Sequence, residues 1–269
     1  RFSLHQLRTD DYGTVRGRFS ASDKNIQQVM NETNHRISFE TDEFFIRRLF
    51  VPKSGLYFAA DAKQIEFRIF ASHSGSRKLL AAYAENPDVS FHEIVSAEVQ
   101  PFRKTPYSHV KNLNFMLLYG GGVGRIAEML DLPREEAQQF ADLYDRLFPE
   151  VKVLIRKATS IAETRGYVKT ILGRRARFAD KKFCYKAWNA VGQGTAADIF
   201  KQKIVEVHRE RKATGFVMRM PVHDELCGDV PDEESARKVG EILNSQSFPS
   251  LKVPILWSVQ TGQNWAECK

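Results

Sequence analysis

Cysteine is scarce and scattered. The 269 residues hold three, Cys184, Cys227 and Cys268. No CxxC spacing occurs, which argues against a structural zinc site and a disulfide-stapled scaffold and points to a reducing compartment. Long hydrophobic runs are missing too. The longest, such as Phe115-Met116-Leu117-Leu118-Tyr119, fall far short of the roughly 20 residues that cross a bilayer. The opening RFSLHQLRTDD is polar and of mixed charge, unlike a signal peptide. There is no internal repeat and no low-complexity segment. With 42% hydrophobic and 27% charged residues, wholesale disorder, collagen and coiled coil are excluded. An acidic balance is also absent: 40 Lys and Arg against 33 Asp and Glu leave +7. That excess favours nucleic acid or an anionic surface as partner and says nothing of fold.

What is present suits one large domain or two modest ones. The first 40 residues read as loop with short extended pieces and a basic stretch at 14–27. Leu56 to Ala60 has strand character and ends at Asp61. Residues 64–71 leave helix and strand open. Residues 77–99 and 134–163 carry helical periodicity. A helical stretch after Pro106 runs to the stop signal Gly120-Gly121-Gly122, and 194–207 is again helical. Residues 215–220 and 226–230 read as strands with His223-Asp224-Glu225 between them, as in a hairpin. A helix at 232–245 and a strand near 253–260 finish the chain. Helices with few, partly hairpin-linked strands predict an α+β fold with an antiparallel sheet.

Four constellations bear on chemistry. Asp61 closes an apolar strand; taken singly, an exposed strand-end aspartate is the commoner explanation. Asp224-Glu225 sits at a tight turn, where Asp serves local hydrogen bonding equally well. Carboxylates at strand ends of one sheet could converge on hard divalent cations such as magnesium. Lys111, Phe115 and Tyr119, spaced four and four, place one cation and two rings on a single helix face. Rings at that spacing are most often core, but lysine is almost never buried without a partner. Such a face suits a nucleotide, with phosphate at the Lys and base or sugar at the rings. His92 and the Arg103-Lys104 pair add phosphate donors. The GGGVGR run at 120–125 follows a helix and not a strand, which rejects a dinucleotide or Walker loop. Finally, Arg16, Arg18, Asn25 and Gln27, then Arg174, Arg175, Arg177, Lys181, Lys182, Asn189 and Gln193, interleave cations with amides that can read base edges. Charge runs are usually solvated faces, so the residues alone reach a basic α+β domain, with metal-dependent nucleotide chemistry as one reading.

Several strings resemble family A DNA polymerases. DAKQIEFR at 61–68 resembles motif A, KNLNFMLLYG at 111–120 motif B, and PVHDELCGDV at 221–230 motif C. GQGTAADIFK at 192–201, GRFSASDKNIQ at 17–27, GYVKTILGRRARF at 166–178 and the closing TGQNWAE are similar to further family segments, in the family's order. The resemblance implies the α+β palm and mostly helical fingers of a right-hand polymerase. Palm would occupy 1–73 and 181–269 and fingers 74–180, with the thumb absent from this chain. Asp61, Asp224 and the Ala62 carbonyl would bind two Mg2+, for which Mn2+ can substitute, and Glu225 would be an accessory carboxylate. Lys111 and His92 would hold the triphosphate and Phe115 the deoxyribose. Glu66 would be a steric gate hydrogen-bonded to Tyr119, with Gln64 also at the substrate. Arg18, Asn25, Gln27, Arg174, Asn189, Gln193 and His223 would contact DNA.

The implied function is template-directed addition of deoxynucleotides to a primer 3′ end. The implied partners are primer–template DNA, deoxynucleoside triphosphates and a separate or removed N-terminal part carrying thumb and exonuclease; no membrane is implied. A cytoplasmic or nucleoid location follows, and a virus-encoded member is compatible. Two other readings stand beside it: a non-catalytic DNA-binding remnant and a single-subunit RNA polymerase-like enzyme. Departures from the family pattern are Tyr107 for an Arg, Ala62-Lys63 for Tyr-Ser, Pro221 for a Gln and Tyr185 for an Arg, with Arg103 and His109 near the first of these.

Overall fold

The computed structural model describes residues 2–6, 9, 13–29, 46–101 and 104–268. In chain order the elements are β1 (Ser3–His5), β2 (Ser20–Ser22), β3 (Leu56–Ala62), α1 (Ile65–Ser74), α2 (Arg77–Glu85), α3 (Phe91–Val99), α4 (Tyr107–Leu118), α5 (Val123–Leu130), α6 (Arg134–Leu147) and α7 (Pro149–Arg165). There follow β4 (Tyr167–Lys169), β5 (Arg175–Arg177), α8 (Ala187–Arg209), α9 (Arg211–Thr214), β6 (Val217–Val222), β7 (Glu225–Val230), α10 (Glu233–Asn244) and β8 (Trp257–Gly262). Two compact units emerge. One comprises residues 1–65, 196–247 and 255–269; the other comprises 66–195 and 248–254.

The first unit is built on an antiparallel sheet in the order β6-β7-β3-β8. β3 lies between two partners, and its Tyr57, Phe58, Ala59 and Ala60 are all buried. A strand covered on both faces reads as an unbroken apolar run, which is why 56–60 is legible in sequence. Trp265, Cys227, Val222 and Ile26 pack with Tyr57 and Ala59 in one apolar cluster. Phe58 meets Phe216 edge-on at 5.3 Å, and Phe200 stacks on Trp257 at 5.8 Å. Gly55 precedes β3 at φ +72, and a Cβ there would strike the Val230 carbonyl; only glycine combines that backbone with so close an approach.

Among the described residues, the second unit holds α1 to α7, the first part of α8 and the small β4–β5 ribbon, around an aromatic core. Phe67 of α1 stacks on Phe91 of α3 at 4.6 Å and meets Phe115 of α4 at 4.7 Å; Phe91 leans on Phe148 at 5.3 Å. Offset and edge-on pairs like these add about 0.5–1.5 kcal/mol each beyond area burial. Arg68, 1% exposed, donates to the Pro254 and Pro87 carbonyls at 3.0 and 2.7 Å. Its guanidinium also covers the Tyr83 ring.

Several expectations need correction. The periodic runs 77–99 and 134–163 are each two helices, parted near Pro87 and at Phe148-Pro149. A proline lacks the amide for an i→i−4 bond, and it sits well at a helix start. The final strand is not 253–260 but Trp257–Gly262; Pro254 cannot donate to a ladder. The strand expected at 215–220 runs from Val217 to Val222, because Gly215 at φ +66 closes α9. Residues 65–74, left open, are helix α1. Neither α5 nor the β4–β5 ribbon was expected.

Candidate active site

In the first unit the site is set by backbone pairing. The ladder opposes Asp61 to Glu225, the first residue of β7, and the Ala62 amide donates to the Asp224 carbonyl at 3.1 Å. Opposed residues in such a pair have Cβ atoms roughly 4.5–5.5 Å apart. Hydrogen bonds therefore bring Asp61, on the central strand, beside Asp224, in the turn of the β6–β7 hairpin. That turn has two residues, His223 and Asp224, closing on the Val222–Glu225 pair. His223 is at φ +54, and Gln64, just past β3, at φ +48. Left-handed backbone at a non-glycine residue costs about 1 kcal/mol or more and concentrates at working sites.

Asp61 is exposed and Asp224 half-buried. Arg18 reaches Asp224 Oδ2 at 3.3 Å. Glu225 is drawn the other way: its Oε1 accepts from Trp265 Nε1 at 2.9 Å and from Cys227 Sγ at 3.4 Å. Asp61 and Asp224 do not share that anchor on Trp265. Among the described residues no three His, Cys, Asp or Glu side chains form a metal cluster. Hard oxygen donors in this number suit a cation that keeps several waters and shares its coordination with phosphates, which is magnesium's habit. A soft or fully caged ion does not fit them.

In the second unit the polar groups are set by side-chain packing. Glu66 on α1 is buried and accepts from the Tyr119 hydroxyl at the end of α4. His92 on α3 is 2% exposed. Burial, and then the positive charge of Lys111, push its imidazole pKa down to about 4, so the ring is neutral at pH 7. Asn114 Nδ2 lies 3.0 Å from His92 Nδ1. With that amide donating, the ring proton rests on Nε2 and makes His92 a hydrogen-bond donor. The Phe115 ring lies 5.6 Å from the His92 ring. Lys111 is exposed, and Phe115 and Tyr119 are half-buried on the same helical stripe. Tyr107 lies edge-on to His92 at 6.4 Å, with its hydroxyl 3.3 Å from Ser90 Oγ. Arg103 lies outside the described residues.

The remaining residues expected at DNA are placed as follows. Asn25 caps the short turn 26–28 through the Gln27 amide at 3.1 Å, and Gln27 Nε2 reaches the Phe19 carbonyl at 3.4 Å. Arg174 donates to the Gly194 carbonyl at 2.9 Å. Asn189 and Gln193 lie half-buried one turn apart on α8, and His223 is exposed at the hairpin turn. Two positioning residues were missed. Asn114 is fully buried beside His92; its signal was an amide on a stripe with Val110, Leu113 and Leu117. Trp265, which holds Glu225, sat unnoticed inside the recognised closing segment.

Set beside known proteins, the chain is 32% identical to DNA polymerase DpoZ of Salmonella phage PMBT28, over 90% of this chain and 42% of that protein. It is 32% identical to the thermostable DNA polymerase I of Thermus aquaticus, over 99% of this chain and 33% of that one. The structure resembles the POL domain of Pol1 from M. smegmatis, in complex with DNA primer-template and dNTP. The TM-score is 0.81 at 28% identity, covering 95% of this chain and 47% of that one. The chain spans less than half the length of each. None of its described helices is long and apolar enough to cross a membrane. The sequence profile of one family matches from residue 6 to residue 267, and with the paired carboxylates, the sheet and the helical unit all in agreement, the chain belongs to DNA polymerase family A.

Proposed function

We propose that the chain is the catalytic core of a template-directed DNA polymerase, adding deoxynucleotides to a primer 3′ end. The observation that carries this reading is the β3–β7 ladder, which opposes Asp61 to Glu225 and ties the Ala62 amide to the Asp224 carbonyl, in a member of this family. Asp61, Asp224 and the Ala62 carbonyl would hold two magnesium ions, or manganese in their place. Bound there, the cations would lower the charge repulsion between the attacking hydroxylate, the α-phosphate and the leaving pyrophosphate. Arg18, the partner of Asp224, is positioned to meet a DNA phosphate when a cation takes that carboxylate. Glu225, anchored to Trp265, orients the hairpin end and is not a required ligand.

The residues of the second unit bind and orient the nucleotide. Lys111 neutralises the triphosphate. His92 donates from Nε2 to an outer phosphate oxygen, and its lowered pKa keeps it a neutral donor rather than a second cation beside Lys111. Phe115 packs on the sugar. Glu66, fixed by the Tyr119 hydroxyl, fills the space a 2′-hydroxyl needs, and Gln64 lies at the same substrate. Asn189, Gln193 and Arg174 in the second unit, and Asn25, Gln27 and His223 in the first, would each contact DNA, whose minor groove offers shape more than sequence. Positioning and charge neutralisation account for most phosphoryl-transfer catalysis. The two units would correspond to palm and fingers. The test is magnesium-dependent primer extension by Asp224→Asn: loss of extension with DNA binding retained supports the reading, and wild-type extension removes it.

A further inference from the structure

Tyr107 is an aromatic residue that the core does not claim. It is 48% exposed, yet both its ring and its hydroxyl are held. The ring lies edge-on to His92 at 6.4 Å, and the hydroxyl lies 3.3 Å from Ser90 Oγ. Ser90 is the residue before α3 and Tyr107 the first residue of α4, so this contact brings two helix N-termini near each other. Neither start has a side-chain cap. Uncapped first-turn amides and the helix dipole both attract an anion. Like ends of two helix dipoles side by side are mutually unfavourable, and an anion between them removes the conflict. Glu93 answers part of this in α3; the first turn of α4 has no acid.

The same place holds His92 and Lys111, the donors assigned to the triphosphate. His92 is the second residue of α3, and Lys111 lies one turn along α4 from Tyr107. Lys111 is near enough for its charge to bear on the His92 ring. A hydroxyl can turn its proton toward whichever acceptor arrives. Tyr107 stands where the family pattern has an Arg. Arginine would bring a phosphate a fixed charge and a two-pronged donor; Tyr107 brings one neutral O–H.

We propose that the Tyr107 hydroxyl, steadied by Ser90, donates to the terminal phosphate of the incoming nucleotide and makes Tyr107 a specificity-determining residue. This rests on the nucleotide-binding reading of the second unit. The chain reads that phosphate through an uncharged hydrogen bond where an arginine would read its charge. It therefore tolerates a deoxynucleotide whose terminal phosphate carries one charge less, such as a γ-methyl ester.

The test is calorimetric titration of the full chain, with magnesium and without DNA, using dTTP, dTDP and the γ-methyl ester of dTTP. Tyr107→Phe keeps the ring beside His92 and removes the hydroxyl. It should weaken dTTP about tenfold, the worth of one hydrogen bond to a charged group, and leave dTDP, which lacks the terminal phosphate, unchanged. Ser90→Ala, which removes the holder, should act in the same direction by a smaller factor. The wild type should bind the γ-methyl ester nearly as well as dTTP. Tyr107→Arg should tighten dTTP and raise the preference for it over the ester by about tenfold, since the added cation responds to the lost charge. Circular dichroism checks that each variant is folded. A Tyr107→Phe chain with wild-type dTTP affinity overturns the proposal, because a packing role alone survives that change. So does an equal loss on dTDP, a wild type that binds no dTTP, or a wild type that rejects the ester as strongly as Tyr107→Arg. None of these titrations needs turnover. Failed primer extension with this binding pattern intact removes the polymerase reading and supports the Tyr107 assignment. Primer extension with a dTTP affinity indifferent to Tyr107 does the reverse.

Discussion

The two units place their candidate functional groups by opposite means. In the sheet unit, Asp61 and Asp224 are exposed or half-buried, and the backbone ladder between β3 and β7 sets their distance. In the helical unit, Glu66, His92 and Asn114 are buried and held through side chains, Glu66 by Tyr119 and His92 by Asn114. Backbone pairing tolerates changes in the side chains it displays; a buried polar pair does not, because each partner left alone bears its full desolvation penalty. Activity and stability should therefore separate in the sheet unit and move together in the helical one.

Asp224→Asn gives the largest separation. Primer extension should fall about 10³-fold or more, roughly 4 kcal/mol of barrier. Melting should shift by less than about 0.5 kcal/mol, as for a surface change. A large stability loss would break the contrast. In the same unit the stability determinant lies elsewhere. Lys203 is 1% exposed, and its ammonium, with three protons to donate, lies 2.7–3.0 Å from Glu206, the Ile242 and Ser245 carbonyls, and the Ser245 and Ser247 hydroxyls. Lys203→Met should cost about 3 kcal/mol in urea unfolding, since it strands those acceptors. In the helical unit, Glu66→Ala should lower deoxynucleotide-over-ribonucleotide selectivity about tenfold and also destabilise by about 1–3 kcal/mol, because the Tyr119 hydroxyl loses its acceptor. An unchanged selectivity ratio refutes the gate.

The effect of pH sharpens the contrast further. The folded pKa of His92 is about 4 against an ordinary 6.5, so below pH 6.5 the unfolded chain takes up a proton that the folded one refuses. The stability tied to a neutral His92 is complete above pH 6.5 and is lost as pH falls toward 4. Urea midpoints measured between pH 7 and 4.5 should drop more steeply for the wild type than for His92→Gln. Smallest of all, His223→Gly relieves a left-handed residue and should change stability by only a few tenths of a kcal/mol, because the unfolded chain gains freedom as well.

What was legible in sequence follows the same divide. β3 and the His223-Asp224-Glu225 hairpin announce themselves because strand burial and turn chemistry are local. The stripe Lys111-Phe115-Tyr119 is legible because helical spacing is local too. That Asp61 and Asp224, 163 positions apart in the numbering, could converge was one reading of two strand-end carboxylates, but only a resemblance to a known family selected it, since register between distant strands leaves no local mark. Helical periodicity runs straight through Pro87 and Pro149 and concealed two breaks. The three-residue β4 and β5 are too short to show a period. The partners of Arg68 and Lys203 lie in distant segments, and nothing near either residue tells that a buried cation will meet backbone carbonyls there.

The central claim is that Asp61 and Asp224 act as one unit. Single-turnover primer extension by Asp61→Asn, Asp224→Asn and the double variant tests it most directly. Groups that act together are strongly non-additive, so the double variant should extend no more slowly than the worse single variant. If the two losses multiply, or if either single variant extends at the wild-type rate, the shared site does not exist.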